Sequence, residues 1–347
     1  MKSIYDLTME QLEDYLLAKG LKPFRAKQIF SWLYRKRVHS FQEMTDISKK
    51  FIAELEDEFT MERFEIVRSQ ISADGTRKYL FKLADGAFVE TVLMVFDYGY
   101  SACISSQVGC NMGCTFCASG LLKKQRNLTV AEMVLEVLML QEELDKDGER
   151  LGNLVLMGTG EPFDNYDNVM AALSIINSPY GLELGARHIS ISTCGLVPMI
   201  RRFGKEKHQY NLAISLHAAN DELRSKLMPI NNAYHLDELI AAIHDYAADN
   251  NRRITFEYLL LAGINDTKKD ARDLKELLKG LNAYINLIPY NEVKENDYHS
   301  SSDENALRFY DLLKKNGVAV TLRQKRGVDI DAACGQLRAK EMKNETL

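Results

Sequence analysis

From about residue 101 onward, short β-branched runs alternate with amphipathic helical stretches, and this alternation restricts the fold more than any other feature of the chain. The strand candidates are ACISS, NLVLMG, HISIST, NLAISL, ITFEYLLL and YINLIP, with another at VAVTLR. Helical periodicity separates several of them: Thr129 with Glu132 reads as a capping box, continued by the apolar stripe Met133, Val134, Val137 and Leu138. Strands joined through helices imply right-handed crossovers and a parallel sheet, closed or partly closed into a barrel. Functional groups of barrels sit at the C-terminal ends of the strands.

Two smaller units precede the alternation. Residues 1–60 read as a compact helical unit. Thr8 and Gln11 start a helix that Gly20 stops, Pro23 opens a second with Phe24, Ile29, Phe30 and Leu33 facing inward, and a third runs from about Asp46 to Phe59. Residues 61–100 hold three strand-like runs separated by Asp74-Gly75 and Asp85-Gly86, which predicts an antiparallel meander. Residues 101–347 form the barrel and a C-terminal segment.

The 347 residues carry a net charge of -5, which decides nothing about a nucleic-acid partner because binding surfaces are local. Neither a signal-peptide core nor a membrane-length apolar run stands out, so the expectation is a cytoplasmic protein with no membrane partner. In that compartment its six cysteines are metal ligands, reactive thiols or buried apolar residues rather than a disulfide framework.

Cys110, Cys114 and Cys117 lie in CNMGCTFC, with three residues and then two between them. Thiolates this close in one loop converge on one centre, and soft sulfur ligands select zinc, copper(I) or iron–sulfur. A structural zinc site wants four closed ligands; a cluster held at three corners leaves one iron open. MGTGEP follows the run NLVLMG; with Phe163 where a third glycine would stand, it is not a dinucleotide fingerprint. By their own surroundings, Cys103 is a small buried residue of an apolar strand, Glu90 a solvated edge carboxylate, His217 a core histidine and Cys194 structural.

The spacing CxxxCxxC after a β-like run, with Phe116 before the last cysteine, resembles the radical S-adenosylmethionine superfamily. SSQVGCNMGCTFC, MGTGEPFDNYDNV, GARHISISTCGLVP, AISLHAANDELRSKLMPIN, INLIPYN and VDIDAACGQLRAKE together resemble, more narrowly, its RlmN/Cfr family of RNA methyltransferases. The fold implied is α/β: a partial (β/α)6 barrel with an N-terminal helical accessory domain and a short antiparallel β extension. One branch of the family methylates carbon 2 of an adenosine in 23S rRNA and in the anticodon loop of tRNAs. The other methylates carbon 8 of the same ribosomal adenosine and confers antibiotic resistance. GEPFDNYDNV, the Asp-Gly meander and INLIPYN lie nearer the carbon-2 branch.

What the resemblance implies about residues is specific. Cys110, Cys114 and Cys117 would hold a [4Fe-4S] cluster. Gly160, Glu161, Ser192, Ser215, Leu216, His217 and Asn291 would bind S-adenosylmethionine, of which two are consumed per methylation. Cys334 would take the first methyl group, lose a hydrogen atom to a 5'-deoxyadenosyl radical and bond to the adenine. Glu90 would accept the ring proton, a role shared in prospect with Cys103, and Cys103 would resolve the protein–RNA adduct through a disulfide with Cys334. Implied partners are the two RNAs and an electron donor such as flavodoxin or ferredoxin, with the chain a monomer.

Basic residues cluster at Lys22 to Arg37, at Lys123, Lys124 and Arg126, and at Arg323, Lys325 and Arg326. RNA phosphates are the expected contact for them, with the helical unit docking stem RNA and the barrel receiving an extruded base.

Overall fold

The computed structural model describes residues 1–121, 123–293, 296–327 and 329–330. The N-terminal unit consists of β1 (Lys2–Ser3), α1 (Met9–Ala18), α2 (Phe24–Phe30), α3 (Lys49–Glu58) and β2 (Phe59–Thr60), with β1 and β2 paired in parallel. Thr8 forms the expected capping box with Gln11. The third helix starts at Lys49 rather than Asp46 because the Ser48 hydroxyl accepts the Phe51 amide and caps it there. A π-turn over Ser31–Arg35 extends α2 and buries Trp32, Leu33 and Tyr34.

The meander is β3 (Glu65–Ile71), β4 (Arg77–Lys82) and β5 (Phe88–Phe96), antiparallel throughout. Gly75 and Gly86 take φ of +83° and +84° at its two turns, a region in which a Cβ is costly. β5 then pairs antiparallel with β6 (Gly99–Cys103), so the meander is hydrogen-bonded into the main sheet. A small hairpin, β7 (Gln107–Val108) and β8 (Arg126–Asn127), brackets the cysteine loop.

The crossovers follow in order: α4 (Val130–Asp145), β9 (Leu151–Leu156), α5 (Tyr166–Asn177), β10 (Ile189–Thr193), α6 (Val197–Glu206), β11 (Asn211–Ser215), α7 (Asp221–Leu227), α8 (Leu236–Asn250), β12 (Ile254–Leu260), α9 (Lys268–Leu277), β13 (Ala283–Pro289), α10 (Asp303–Lys315) and β14 (Val320–Leu322). The sheet order is β14-β13-β12-β11-β10-β9-β6-β5-β4-β3, parallel from β14 to β6. Its two ends do not pair, so the barrel is partial. One apolar core runs through the helical unit, the outer helices and the sheet.

Several basic residues are used differently from the sequence expectation. Arg37 Nε lies 2.5 Å from Asp145 Oδ2 at the end of α4, and Arg35 pairs with Glu183 and donates to the Pro179 carbonyl. Asp6 accepts the Ala131 amide at the start of α4. These contacts fasten the helical unit to the barrel, so Arg35 and Arg37 serve internal docking. Lys124 likewise pairs with Asp164, and Arg126 with Asp85 and Glu132.

Candidate active site

β6 ends at Cys103, and the chain leaving it is stitched to the turn after β9. Ile104 donates its amide to Val155, Gly158 returns one to Ile104, and Ser106 donates to Thr159, at 3.1, 3.0 and 2.9 Å. A Cβ on Gly160, at φ +112°, would lie 2.7 Å from the Gln107 Cβ and the Ser106 Oγ. Only glycine lets the turn lie against the cysteine loop.

Glu161 is 3% exposed and ties this turn to the next strand end. Its Oε1 accepts the Phe163 amide at 3.0 Å and its Oε2 the Cys194 amide at 2.8 Å. Burial pushes its carboxyl up, opposed by those amides.

Cys110, Cys114 and Cys117 line one cavity of about 310 Å³ with Gly160, Glu161, Ser192, Ser215, His217 and Asn291. Burial raises the thiol pKa of Cys110 to about 11, with the neighbouring Cys117 adding to the shift. The Cys114 thiol is also pushed up, by burial first and then by Cys117 and Cys110. Each thiol thus lies in the others' field. A cationic centre would reverse that cost by stabilising thiolates, and a soft three-sulfur donor set with this much room fits an iron–sulfur cluster.

Ser192 and Ser215 close the floor with their hydroxyls 3.4 Å apart. His217 has φ +58°, an uncommon backbone for a residue with a Cβ. It is held there by the Asn265 side chain, which donates to its carbonyl at 2.8 Å, and by the Leu259 amide, which donates to Nδ1 at 3.1 Å. Burial, then Arg224, lowers its pKa to about 3. The ring is therefore neutral with its proton on Nε2. Phe116 meets it edge-on at 4.9 Å. The Leu216 side chain is fully buried in the main core, and Leu216 is absent from the cavity lining. Cys194, without a motif partner in the sequence, borders the cavity as well.

Cys103 lines a second cavity, of about 170 Å³, with Val92, Met94, Val155 and Arg323 to Arg326. The two cavities share Met157, Ile288, Pro289, Asn291 and Arg323 as a common wall. Glu90 borders neither. It is 4% exposed, and the Lys78 ammonium lies 2.9 Å from its Oε2, so it is a buried ion-paired group rather than the solvated edge carboxylate its strand suggests. Cys334 lies outside the described residues. The segment approaching it crosses the meander: Arg323 reaches the Met94 sulfur at 3.3 Å, Arg326 stacks on Phe96, and Gly327 donates to Asp74 at 2.9 Å.

Sequence reasoning missed three buried charges, one of them in a cavity wall. Glu257 on β12 lines the first cavity, and burial raises its pKa to about 7 against the opposing effects of Arg323 and an Asn286 hydrogen bond. Glu136 on α4 accepts from Thr91 and from the Ser105 amide, beneath the start of the cysteine loop. Lys78 is the third. Glu257 and Glu136 are each a lone charge in an apolar stretch, ITFEYLLL and MVLEVLML, and that interruption is the signal that was available; Lys78, between Arg77 and Tyr79 in RKYLFK, carries no such signal.

Comparison with known proteins agrees with this geometry. Residues 2–61 match the ribosomal RNA large subunit methyltransferase N-terminal domain, and residues 104–278 the radical SAM superfamily. The chain is 53% identical to the probable dual-specificity RNA methyltransferase RlmN of Streptococcus thermophilus (strain CNRZ 1066), over 99% of this chain and 90% of that one. It is also 53% identical to that of Enterococcus faecalis (strain ATCC 700802 / V583), over 99% and 98%. The crystal structure of a radical SAM methyltransferase from Sphaerobacter thermophilus superposes with a TM-score of 0.92 at 43% identity, covering 97% of this chain and 99% of that one. Membership of the superfamily implies S-adenosylmethionine and an iron–sulfur cluster as cofactors. With both domains matched in order and near-complete coverage by curated relatives, the chain belongs to the RlmN family of radical S-adenosylmethionine RNA methyltransferases.

Proposed function

We propose that this protein methylates carbon 2 of one adenosine in 23S rRNA and of an adenosine in the anticodon loop of tRNAs, with Cys334 as methyl carrier. The observation that supports it best is the common wall between the three-cysteine cavity and the Cys103 cavity, because a reactive species made in the first emerges beside the thiol of the second. Cys110, Cys114 and Cys117 would hold a [4Fe-4S] cluster. Gly160, Glu161, Ser192, Ser215, the Leu216 backbone, His217 and Asn291 would hold S-adenosylmethionine. Together, when bound, these groups supply a 5'-deoxyadenosyl radical by one-electron cleavage.

Carbon 2 of adenine is not nucleophilic enough to take a sulfonium methyl directly, so the protein carries the group. Cys334 displaces a methyl from one S-adenosylmethionine as thiolate. Its S-methyl then yields a hydrogen atom as a second is consumed, and the resulting carbon bonds to the ring. Glu90 or Cys103 accepts the ring proton. The adduct radical gives one electron to the electron carrier as that proton leaves. The Cys103 thiolate then bonds to Cys334 sulfur, the sulfur–carbon bond breaks with its electron pair on the methylene carbon, and that carbon takes a proton to become the methyl group of the released RNA. A flavodoxin or ferredoxin supplies electrons to a cytoplasmic monomer; among the described residues no helix is long and apolar enough to cross a membrane.

Digestion of RNA treated with the reconstituted enzyme, followed by mass spectrometry, tests the reading. The 2-methyl product is expected; the 8-methyl product would move the chain to the other branch, which the relatives' names do not favour. Cys334→Ala should abolish product and Cys103→Ala should accumulate a protein–RNA adduct.

A further inference from the structure

The barrel has a second mouth. Along β10, Ser190 lines a cavity of about 690 Å³ and Ser192 the cofactor cavity; along β12, Thr255 and Glu257 divide in the same way, as do Asn211 and Ser215 along β11. Residues two or four apart on a strand share a face, so both cavities lie on the same face of the sheet, at opposite ends of its strands and roughly 13 Å apart at about 3.3 Å per residue along β11. The larger one opens at the N-terminal ends of the strands.

Its rim is cationic in an otherwise acidic protein. Arg187, Lys207, Arg252 and Arg253 line it against a single carboxylate, Asp249. None of these four cations forms a salt bridge among the described residues, whereas Arg35, Arg37, Lys124, Arg126 and Arg202 elsewhere are all paired with carboxylates. Arg252 is aimed by neutral partners: its two terminal nitrogens donate to Gln209 Oε1 at 3.1 Å and Asn211 Oδ1 at 2.8 Å. Arg253 is placed by stacking on Tyr284 at 4.4 Å. Guanidinium forks held in place without carboxylates leave their charge for an outside anion, and phosphate oxygens match that fork geometry.

We propose that this N-terminal mouth is a second binding site, for phosphate groups, separate from the cofactor cavity. Two sources carry that chemistry: the backbone of a bound RNA and a free phosphorylated compound. The polar lining of hydroxyls and amides suits either, since it offers hydrogen bonds to oxygen and no apolar floor.

Calorimetric titration of the full-length protein with tripolyphosphate is the test, using Arg252→Gln and the exposed pair Arg187→Gln/Arg253→Gln, each checked against the wild-type melting temperature. Saturable binding weakened about tenfold or more by the exposed pair establishes the site, even if Arg252→Gln destabilises the fold. Binding of an RNA stem-loop is then measured across salt concentrations. A slope in log K against log salt that falls by about 0.7 to 0.9 per lost phosphate contact identifies the RNA backbone as the source, while unchanged RNA binding identifies a free phosphorylated compound. Wild-type protein that takes up tripolyphosphate no more tightly than the folded double variant overturns the proposal. None of these readouts depends on methylation.

Discussion

The Lys78 ammonium and the Glu90 carboxylate lie 2.9 Å apart with side chains 0% and 3% exposed, on neighbouring strands of the meander. Charges so desolvated are tolerated because they face each other. Removing one partner of such a pair costs about 3–5 kcal/mol, whereas replacing both together costs much less. Lys78→Met should therefore destabilise strongly, and Lys78→Met/Glu90→Gln should recover most of the loss. Urea unfolding of the full cycle checks this; coupling below about 0.5 kcal/mol would show that the pair is not a unit.

Glu257 gives a pH dependence with a definite sign. Its folded pKa, about 7, stands above the ordinary 4.5, so folding favours the protonated form. The protein binds this proton more readily folded than unfolded, and stability falls as pH rises from 4.5 to 7. The loss is on the order of 1–3 kcal/mol, moderated by Arg323. Glu257→Gln should flatten this fall, measured as the difference in denaturation midpoint between pH 5 and pH 8 under anaerobic conditions. An unchanged pH slope would remove Glu257 as its origin.

Asp74 and Asp329 fasten the segment that leads toward Cys334. Asp74 accepts the Gly327 amide, and Asp329 accepts the Ala73 amide and the Ser72 hydroxyl. Burial would raise the Asp74 carboxyl, but the Gly327 and Thr76 amides and the Thr76 and Ser72 hydroxyls outweigh it and hold it at about 2. Asp74→Asn and Asp329→Ala should slow S-methylation of Cys334 several-fold while leaving RNA-free cleavage of S-adenosylmethionine unchanged. Mass spectrometry of the Cys334 peptide against time reads the first quantity. Equal slowing of both would mean a general structural defect.

The helical unit separates two kinds of basic residue. Lys22, Lys27 and Lys36 are exposed, with Lys36 resting on the Trp32 ring at 3.2 Å, while Arg37 is committed to Asp145. Lys22→Glu/Lys36→Glu should raise KM for RNA roughly tenfold with little change in melting temperature. Arg37→Ala should instead lower the melting temperature. Steady-state methylation and thermal unfolding of both variants distinguish the roles, and unchanged RNA kinetics in the charge-reversed variant would exclude this face as a docking surface.

Local chemistry was legible wherever neighbours in sequence interact. The capping boxes at Thr8 and Thr129 and the Asp-Gly turns at Gly75 and Gly86 appear as read, because each depends on atoms within a few residues. The alternation that implied a parallel barrel did so through periodicity, and CNMGCTFC and GTGEP carried the resemblance to the radical S-adenosylmethionine superfamily, with six segments together needed for the narrower family. A turn requirement such as that of Gly160 is felt locally as well, although the atoms that forbid a Cβ there belong to Ser106 and Gln107.

Tertiary structure decided which charges remain free to act. In the sequence, Arg35 and Arg37 belong to one basic run with Lys36, and Glu90 is one more polar residue in an alternating strand. Folding brings Glu183, Asp145 and Lys78 to them, and also gathers four cations that form no salt bridge among the described residues from three separate stretches around the far mouth of the barrel. Spacing along a chain governs hydrogen bonds and periodicity over a few residues. The Coulomb energy of a charge depends instead on burial and on partners brought from far along the chain, and only the packed structure determines both.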